Sequence, residues 1–378
     1  MSGFRLSGEQ REYVRWVREA ASGLPAPVPG RVDRALVQAL GERGVLRGLF
    51  GPGDPPSGAA ALRLCLLRET IAQIRTEAET ALALQGLGSY PILQSGSPEL
   101  VSRWIPAVIS GEAVAAFALT EAGAGSDAAA LQLRAERDGD GWVLTGEKLW
   151  ISNAPDADIY TVFARTTPDA GARGVTAFAV PGTSPGLSGE PLDMLSPHPI
   201  GRLVFDGVRV GAGAVLGEVD RGFTVAMRTL DLFRPSVGAF AVGMAQAALD
   251  ATLTHVRERR VYGAPLANQQ SVAHRVAEMA TELEAARLLV YAAAAAYDDG
   301  AGPDEQPRRS AMAKLYATEA AQRIVDGCVQ LHGAAALRRG HPLEHLYRDV
   351  RALRIYEGAS EVQRSLIARN LIGREYTR

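Results

Sequence analysis

The spacing of hydrophobic positions divides the chain into three zones, and the first, residues 1 to about 112, has a helical period. In its first segment the apolar side chains recur three and four positions apart: Tyr13, Val14, Trp16 and Val17. Ser7 and Gln10 stand three apart just before this run, which predicts a capping box at the start of the helix. The same period predicts further helices over 60–86 and 98–109.

From about 113 to 217 the pattern changes to short runs of β-branched and aromatic residues. Strands are predicted over 114–119, 131–137, 142–149, 159–163, 175–180 and 203–210. The turn Asp138-Gly-Asp-Gly141 joins the second and third of these as a hairpin. Because no helical segment stands between the strands, the pattern favours an antiparallel sheet or barrel over a doubly wound sheet.

From about 218 onward the helical period returns. Helices are predicted over 223–260, 271–298, 308–331 and 360–371, with a Gly/Pro/Asp loop at 300–307. The order of zones predicts an α+β fold that is mostly α. It comprises an N-terminal helical domain (1–112), a middle antiparallel β-barrel domain (113–217) and a C-terminal four-helix bundle (218–378).

Composition narrows the function classes. The 378 residues are 47% hydrophobic and 22% charged, with a formal net charge of −2, which argues against nucleic acid as the main partner. The sequence predicts no membrane span, since no apolar run approaches the ~18 residues required, and the mixed-charge N-terminus predicts no secretory signal. Cys65 and Cys328 form no disulfide framework, which favours the cytoplasm. His341 and His345 have helical metal-ligand spacing but lack carboxylate partners, so no metal site is predicted.

Three motifs are candidates for chemistry. Phe117–Asp127 is a strand that opens into a glycine-rich loop, where backbone N–H groups can approach a ligand. Gly146–Asn153 places Trp150 and a serine hydroxyl where a flat aromatic cofactor could rest. In Arg354–Glu361, Glu357 stands between an apolar run and a glycine, a setting that raises a carboxyl pKa towards that of a useful base. Taken alone, each motif favours the ordinary reading: a plain turn, a core strand or a solvated residue.

Taken in order, the motifs resemble the acyl-CoA dehydrogenase family over essentially the whole chain. The resemblance is also carried by four further stretches, 96–106 with Ser110-Gly-Glu112, Phe205–Val210, Arg259–Gly263 with Gln270, and Val329–Gly333, and by the Tyr356-Glu-Gly358 element of the third motif. The resemblance implies FAD as cofactor and α,β-dehydrogenation of an acyl thioester, on a short, branched or cyclic acyl-CoA. It implies Glu357 as the base that removes the α proton, with its backbone N–H on the thioester carbonyl.

The resemblance also implies the remaining site residues. The implied flavin contacts are Phe117, Leu119, Thr120, Gly125, Ser126, Trp150, Ile151, Ser152, Arg259, Tyr262, Gln270, Gln330, Leu331, Gly333, Ala334, Ala359 and Glu361. The implied substrate contacts are Ser126, Asp231, Arg234 and Gly358. Some members carry the base at the position of Phe233, which here has no acidic group. A homodimer or homotetramer and an electron-transfer flavoprotein as electron acceptor are the implied partners.

Ser196-Pro-His-Pro199 departs from the family, because it stands where a small polar loop contacts CoA. Ala334 and Ala359 stand where glycine and threonine are usual. Desaturation of an acyl group carried on a protein-bound pantetheine therefore remains an alternative. A flavin monooxygenase or oxidase, and a catalytically silent scaffold or binding protein of the same fold, are two others. Glu357 argues against the monooxygenase, which needs no α-proton base.

Overall fold

A computed structural model describes residues 5–25, 28–302 and 304–373. The N-terminal residues 1–4, one proline of the 300–307 loop and the last five residues of the predicted C-terminal domain lie outside this description. The helices are α1 Gly8–Ala21, α2 Arg34–Glu42, α3 Ala61–Ala72, α4 Thr76–Ser95, α5 Pro98–Ser110, α6 Gly222–Glu258, α7 Gln270–Asp298, α8 Glu305–His332, α9 Pro342–Ala352 and α10 Ser360–Ile372.

The strands occupy the predicted middle zone, apart from one short pair. They are β1 Ala115–Ala118, β2 Arg134–Asp138, β3 Gly141–Ser152, β4 Ile159–Arg165, β5 Val175–Pro181, β6 Leu187–Pro191, β7 Ile200–Val210, β8 Val215–Leu216, β9 Arg260–Val261 and β10 Ala264–Pro265. Eight of them form one sheet in the order β6-β7-β3-β2-β4-β5-β8, with β1 paired to β4. Most pairs are antiparallel, as predicted, but β1 and β2 each pair with β4 in parallel.

The chain forms two compact units. One consists of Met1–Glu19, Ala60–Glu79 and Asp231–Arg378, as far as these ranges are described, and we call it the helical unit. The other, the sheet unit, consists of Ala20–Ala59 and Thr80–Leu230. The three-domain division drawn from the sequence stays a prediction.

Each unit has its own core. In the sheet unit, β4 and β5 are buried along almost their whole length, with Tyr160, Phe163 and Phe178 among the largest enclosed side chains. In the helical unit the helices approach closely over small residues. A Cβ on Gly238 would lie 2.7 Å from Val290 Cγ2, so only glycine fits there without movement.

Local signals placed several elements correctly. The capping box at α1 is confirmed, because Ser7 N–H donates to Gln10 Oε1 (2.8 Å) and Gln10 N–H donates to Ser7 Oγ (3.1 Å). The hairpin is confirmed too, with Asp138 opposite Gly141 and Gly139 at φ +60° in the turn.

The single helix predicted over 60–86 was wrong, since the chain breaks between Ala72 and Thr76 and then continues to Ser95. Neither glycine nor proline marks the break. Tertiary contacts hold it instead: the Thr76 hydroxyl donates to Asp349 (2.7 Å) on α9. Helices α2 and α9 and strands β6, β8, β9 and β10 were not predicted.

Helix α6 bears on the predicted lack of a membrane span. Gly222–Glu258 is long and apolar enough to cross a bilayer by composition, but 67% of its most apolar stretch is buried inside the protein. A helix that is apolar all round and packed on other helices is a core helix.

Candidate active site

The end of β3 and the glycine-rich loop are joined by direct contacts within the sheet unit. Lys148 is fully buried, and its Nζ donates to Leu119 O (3.0 Å) and to Glu121 Oε1 (2.8 Å). The Leu149 N–H donates to Thr120 O (3.0 Å). The structure therefore brings the two predicted flavin motifs, 117–126 and 150–152, side by side.

Trp150, in the second of these motifs, is unusual in its exposure and in its backbone conformation. Its side chain is 48% exposed although it belongs to a strand of the sheet, and its backbone has φ +60°. The pairing of β3 with β7 shifts register between Lys148 and Ile151, which re-aims the side chain out of the sheet. A non-glycine residue with positive φ costs about 1 kcal/mol or more and is typical of functional positions.

Ser152, two residues on, contacts a residue from the unusual 196–199 stretch. Its Oγ lies 2.9 Å from His198 Nε2, within hydrogen-bond distance. The following Asn153 fixes the strand end, since its amide donates to Ala115 O (2.9 Å). The Ser196–Pro199 stretch therefore reaches the predicted flavin surface itself.

This surface fits a flat, planar cofactor ring. Trp150 offers an exposed aromatic face, and the glycine-rich loop beside it is open: a Cβ on Gly123 or Gly125 would meet nothing within 4 Å. Thr120 is half-buried and Ser126 is exposed, so hydroxyl groups are available along the loop. We call this surface, residues 117–126 and 150–152, the flavin platform.

Glu357 lies in the helical unit, in the turn between α9 and α10. Its backbone is left-handed, with φ +51°, and Gly358 follows at φ +91°. The residue is half-buried, but its carboxylate Oε2 is out of solvent and has no hydrogen-bond partner within the described chain. Burial raises the pKa of Glu357, although three cations oppose the shift: Arg68, Lys314 and Arg234.

Two of those cations are held in defined positions. Lys314 on α8 is buried and donates from Nζ to Gly358 O (2.8 Å), so it anchors the turn that carries Glu357. Desolvation lowers the pKa of Lys314 to about 8. Arg234 on α6 is buried and bonds Asp231 Oδ1 (3.1 Å), which pairs the two residues predicted on the substrate side.

The third cation belongs to a buried ion pair that was not predicted from the sequence. Arg68 on α3 donates from Nε to Glu79 Oε1 on α4, and both side chains are almost fully enclosed. Arg68 also donates to Ser236 Oγ (2.7 Å). Desolvation raises the pKa of Glu79 to about 7, against the effect of Arg68.

The other predicted flavin residues in the helical unit lie mainly on its surface. Tyr262 is 98% exposed in the short β9–β10 hairpin, at φ +50°. Leu331 is half-buried. Five other residues are exposed: Arg259, Gln270, Gln330, Gly333 and Ala334. Ala359 caps α10, and Glu361 follows in its first turn.

A signal for the missed residues exists in the hydrophobic pattern. Lys148 stands on the inward face of β3 with Trp142 and Leu144, two residues apart. Arg68 lies in α3 among residues that are all buried, from Leu64 to Ala72. A charge at an inward position is therefore the sign to look for, since charged residues are rarely enclosed unless they are paired.

Comparison with known proteins identifies the family. The acyl-CoA dehydrogenase N-terminal, middle and C-terminal domain families match residues 7–112, 116–208 and 220–372. Cyclohexane-1-carbonyl-CoA dehydrogenase from Geobacter metallireducens is 36% identical over 98% of this chain and 99% of its own. The chain belongs to the acyl-CoA dehydrogenase family.

Solved structures agree. Butyryl-CoA dehydrogenase from Megasphaera elsdenii superposes with a TM-score of 0.91 at 32% identity, over 98% of this chain and 99% of its own. PigA, solved with FAD and proline, has a TM-score of 0.91 at 27% identity, over 97% and 98%. The predicted family, fold class, oxidoreductase activity and FAD cofactor are thereby confirmed. The individual site residues remain predictions.

Proposed function

We propose that this acyl-CoA dehydrogenase desaturates a short, branched or cyclic acyl thioester between its α and β carbons, with Glu357 as the base. The carrying observation is the Glu357 carboxylate, whose buried Oε2 has no partner within the described chain. A carboxylate left unsatisfied in this way is costly unless a ligand completes it. Its raised pKa makes it a stronger base than a solvated carboxylate.

The turn around Glu357 supplies the second requirement, a donor for the thioester carbonyl. The backbone N–H of Glu357 is the donor in this proposal, and the Lys314–Gly358 bond and a Gln363 amide on Gly358 O (2.9 Å) hold the turn that carries it. A fixed N–H beside the carbonyl stabilises the negative charge that develops as the α proton leaves.

The reaction then balances simply. The α carbon gives its proton to Glu357, and its C–H electron pair becomes the new C=C bond. The β hydrogen leaves with its electron pair, and bound FAD supplies the acceptor for it. On the protein side, Trp150, Ser152 and Thr120 on the flavin platform would hold the ring in one orientation, which supplies the proximity that the two bond breakages need.

Relatives support the substrate class. Matches include cyclohexane-1-carbonyl-CoA, butyryl-CoA and short-chain specific acyl-CoA dehydrogenases. A second candidate for the group that carries the acyl thioester is a pantetheine bound to a carrier protein. His198 in the 196–199 stretch favours it, because this histidine is engaged with Ser152 where the family has a small polar loop. An electron-transfer flavoprotein as acceptor, a homodimer or homotetramer, and a cytoplasmic location complete the proposal.

Anaerobic bleaching of the bound flavin tests this proposal. The FAD-loaded protein is mixed with butyryl-CoA, isobutyryl-CoA and cyclohexane-1-carbonyl-CoA, and with the same groups on a carrier-protein pantetheine. Bleaching by at least one CoA ester supports the main proposal, whereas bleaching by carrier-bound groups alone supports the alternative. A yellow protein that no thioester bleaches contradicts both.

A further inference from the structure

Lysine is rare in this chain. Of its 40 lysine and arginine residues, 38 are arginines and only two, Lys148 and Lys314, are lysines. Lysine is normally a surface residue, yet both side chains are fully enclosed, at 0% exposure. A chain that uses arginine at its other basic positions therefore keeps lysine at two buried ones, one in each compact unit.

Both lysines donate to a main-chain carbonyl of an irregular segment. Lys148 Nζ donates to Leu119 O (3.0 Å), where β1 gives way to the glycine-rich loop. Lys314 Nζ donates to Gly358 O (2.8 Å), in the turn that carries Glu357. Each ammonium group therefore holds a segment that carries groups of the candidate site.

The shape of the ammonium group explains why these residues are lysines. It is a compact charge on a flexible stem, whereas a guanidinium is a planar fork with five donors. In a closed space beside a loop carbonyl, a guanidinium would leave several donors unpaired, which is destabilising. Arg68 and Arg234 are the arginines that are buried within the described chain, and both bond to side chains instead.

The bonds of Lys148 join both halves of the flavin platform. Its Nζ also donates to Glu121 Oε1 (2.8 Å) in the glycine-rich loop. The Glu121 carboxylate accepts in turn from the N–H groups of Gln132 (2.6 Å) and Leu133 (2.9 Å). The loop is thereby tied to β3 and to the segment that leads into β2.

Lys148 also marks the point at which β3 turns Trp150 outward. Side chains two residues apart normally share a face of a strand, but Lys148 is enclosed and Trp150 is 48% exposed. Lys148 pairs with Leu203 as the last residue before the shift in register, and Ile151 is the first after it. The buried ammonium therefore anchors the strand where the exposed ring departs from it.

The bond of Lys314 fixes the turn between α9 and α10. The Gly358 carbonyl that it contacts also accepts from the Gln363 amide (2.9 Å) on α10. Glu357 and Gly358 have left-handed backbones, at φ +51° and +91°, and a non-glycine residue is strained in this conformation. Bonds from α8 and α10 therefore hold the strained turn from two sides.

We infer that the two lysines are positioning residues: Lys148 holds the flavin platform in the shape that binds FAD, and Lys314 holds the turn that carries Glu357. The part that concerns Lys314 rests on the proposed function and deepens it. The part that concerns Lys148 rests on the FAD cofactor of the family alone. Neither lysine forms or breaks a covalent bond.

Matched methionine variants test the two roles, and each variant is the control for the other. We expect Lys148→Met to weaken FAD binding at least ~10-fold, as loss of a charge-assisted hydrogen bond would, and Lys314→Met to leave it unchanged. Titration of the apoprotein followed by flavin fluorescence measures the affinity. Equal losses in both variants, or none in Lys148→Met, would overturn the role of Lys148. Lys148→Met with Glu121→Gln removes both charges and allows the same comparison if the single variant does not fold.

The kinetics of anaerobic bleaching at saturating FAD test Lys314. A misplaced base removes the proton more slowly, so we expect bleaching by butyryl-CoA to slow at least ~10-fold in Lys314→Met. The variant also loses one of the cations that lower the pKa of Glu357, so the fall in rate on acidification should begin at a higher pH than in the wild type. In Lys148→Met the pH profile should be unchanged. A wild-type rate and profile in Lys314→Met would contradict its role.

Hydrogen exchange separates this inference from the proposed function, because it needs no turnover. Residues 354–360 should exchange faster in Lys314→Met than in the wild type, and at the wild-type rate in Lys148→Met. If no ester bleaches the wild-type flavin but this difference is found, Lys314 keeps its positioning role and the proposed reaction fails. Identical exchange in all three proteins would remove that role.

The scarcity of lysine also allows a test on the wild-type protein. Lys148 and Lys314 carry the only ε-amino groups of the chain, so mass spectrometry after acetic anhydride treatment follows each one directly. Coupling between two events is reciprocal, so a lysine that favours FAD binding is held more firmly once FAD is bound. We expect FAD to slow acetylation of Lys148 at least ~10-fold and to leave that of Lys314 unchanged. Equal rates for Lys148 with and without FAD would refute its role.

Discussion

The flavin platform and the surroundings of Glu357 differ in how fully their carboxylates are hydrogen-bonded. On the platform, Glu121 is fully used: it accepts from Lys148 Nζ and from the N–H groups of Gln132 (2.6 Å) and Leu133 (2.9 Å). Around the base, Glu357 and Glu79 each keep one buried oxygen without a partner within the described chain. A saturated carboxylate stabilises a loop, whereas an unsaturated one retains its capacity to bind a proton or a donor.

The two regions also differ in how they present their key group. Trp150 projects from the sheet with about half its surface in solvent, and its strain lies in the backbone. Glu357 shares the left-handed backbone but has its reactive oxygen enclosed. A stacking surface needs exposed area, whereas a base needs desolvation. The same left-handed backbone conformation therefore exposes the ring in one case and accompanies an enclosed carboxylate in the other.

Removing the base is expected to give the largest effect. Glu357→Gln keeps the size of the side chain but cannot accept the α proton, so we expect anaerobic flavin bleaching to slow roughly 10³-fold. The protein should stay yellow, since the substituted residue is not on the platform. Stopped-flow absorbance measures the rate, and bleaching at a comparable rate would show that another residue is the base.

Breaking the buried Arg68–Glu79 pair is expected to give the second-largest effect, a loss of stability. Arg68→Met leaves Glu79 enclosed without its countercharge, which typically costs about 3–5 kcal/mol in the free energy of unfolding. Chemical unfolding followed by circular dichroism measures the loss. The exposed pair Arg309–Glu305 provides the control, because Arg309→Met is expected to cost ~1 kcal/mol or less. Similar losses in both variants would remove the distinction between the two kinds of pair.

The pH dependence of bleaching probes the enclosure of Glu357 directly. Only the ionised carboxylate accepts the proton, and burial raises its pKa above the usual 4.5. The bleaching rate should therefore fall as the pH drops towards that raised pKa, and about tenfold per pH unit below it. A rate that stays constant down to pH 5 would indicate a solvated base.

The platform should give the smallest effect. Trp150→Ala removes a stacking face, and we expect FAD affinity to weaken about tenfold, in line with an aromatic contact of ~1.5 kcal/mol. Equilibrium titration of the apoprotein followed by flavin fluorescence measures the change. Trp16 in α1 is also partly exposed, at 38%, so Trp16→Ala is the control. An equal loss in the control would argue against a specific role for Trp150.

Much of the fold is legible in short stretches of sequence. The capping box at Ser7, the hairpin at Asp138–Gly141 and the start of α5 after Ser97 follow from side-chain and turn chemistry within a few residues. The helix break after Ala72 does not, because it depends on a contact between Thr76 and α9 that lies 273 residues away. Rules that read a few neighbouring residues predict only the features that those residues cause.

The sequence by itself determined the family, the order of the helical and strand-rich zones, and the identity of Glu357 as the candidate base. These are carried by ordered motifs and by periodicity, which need no knowledge of distant contacts. Only the tertiary structure decided that Lys148 donates to the glycine-rich loop of the platform and that His198 lies beside Ser152. It also decided that Arg68 and Glu79 form a buried pair in which one Glu79 oxygen has no hydrogen-bond partner within the described chain. Burial and hydrogen-bond satisfaction are properties of packed neighbours, so no single segment contains them.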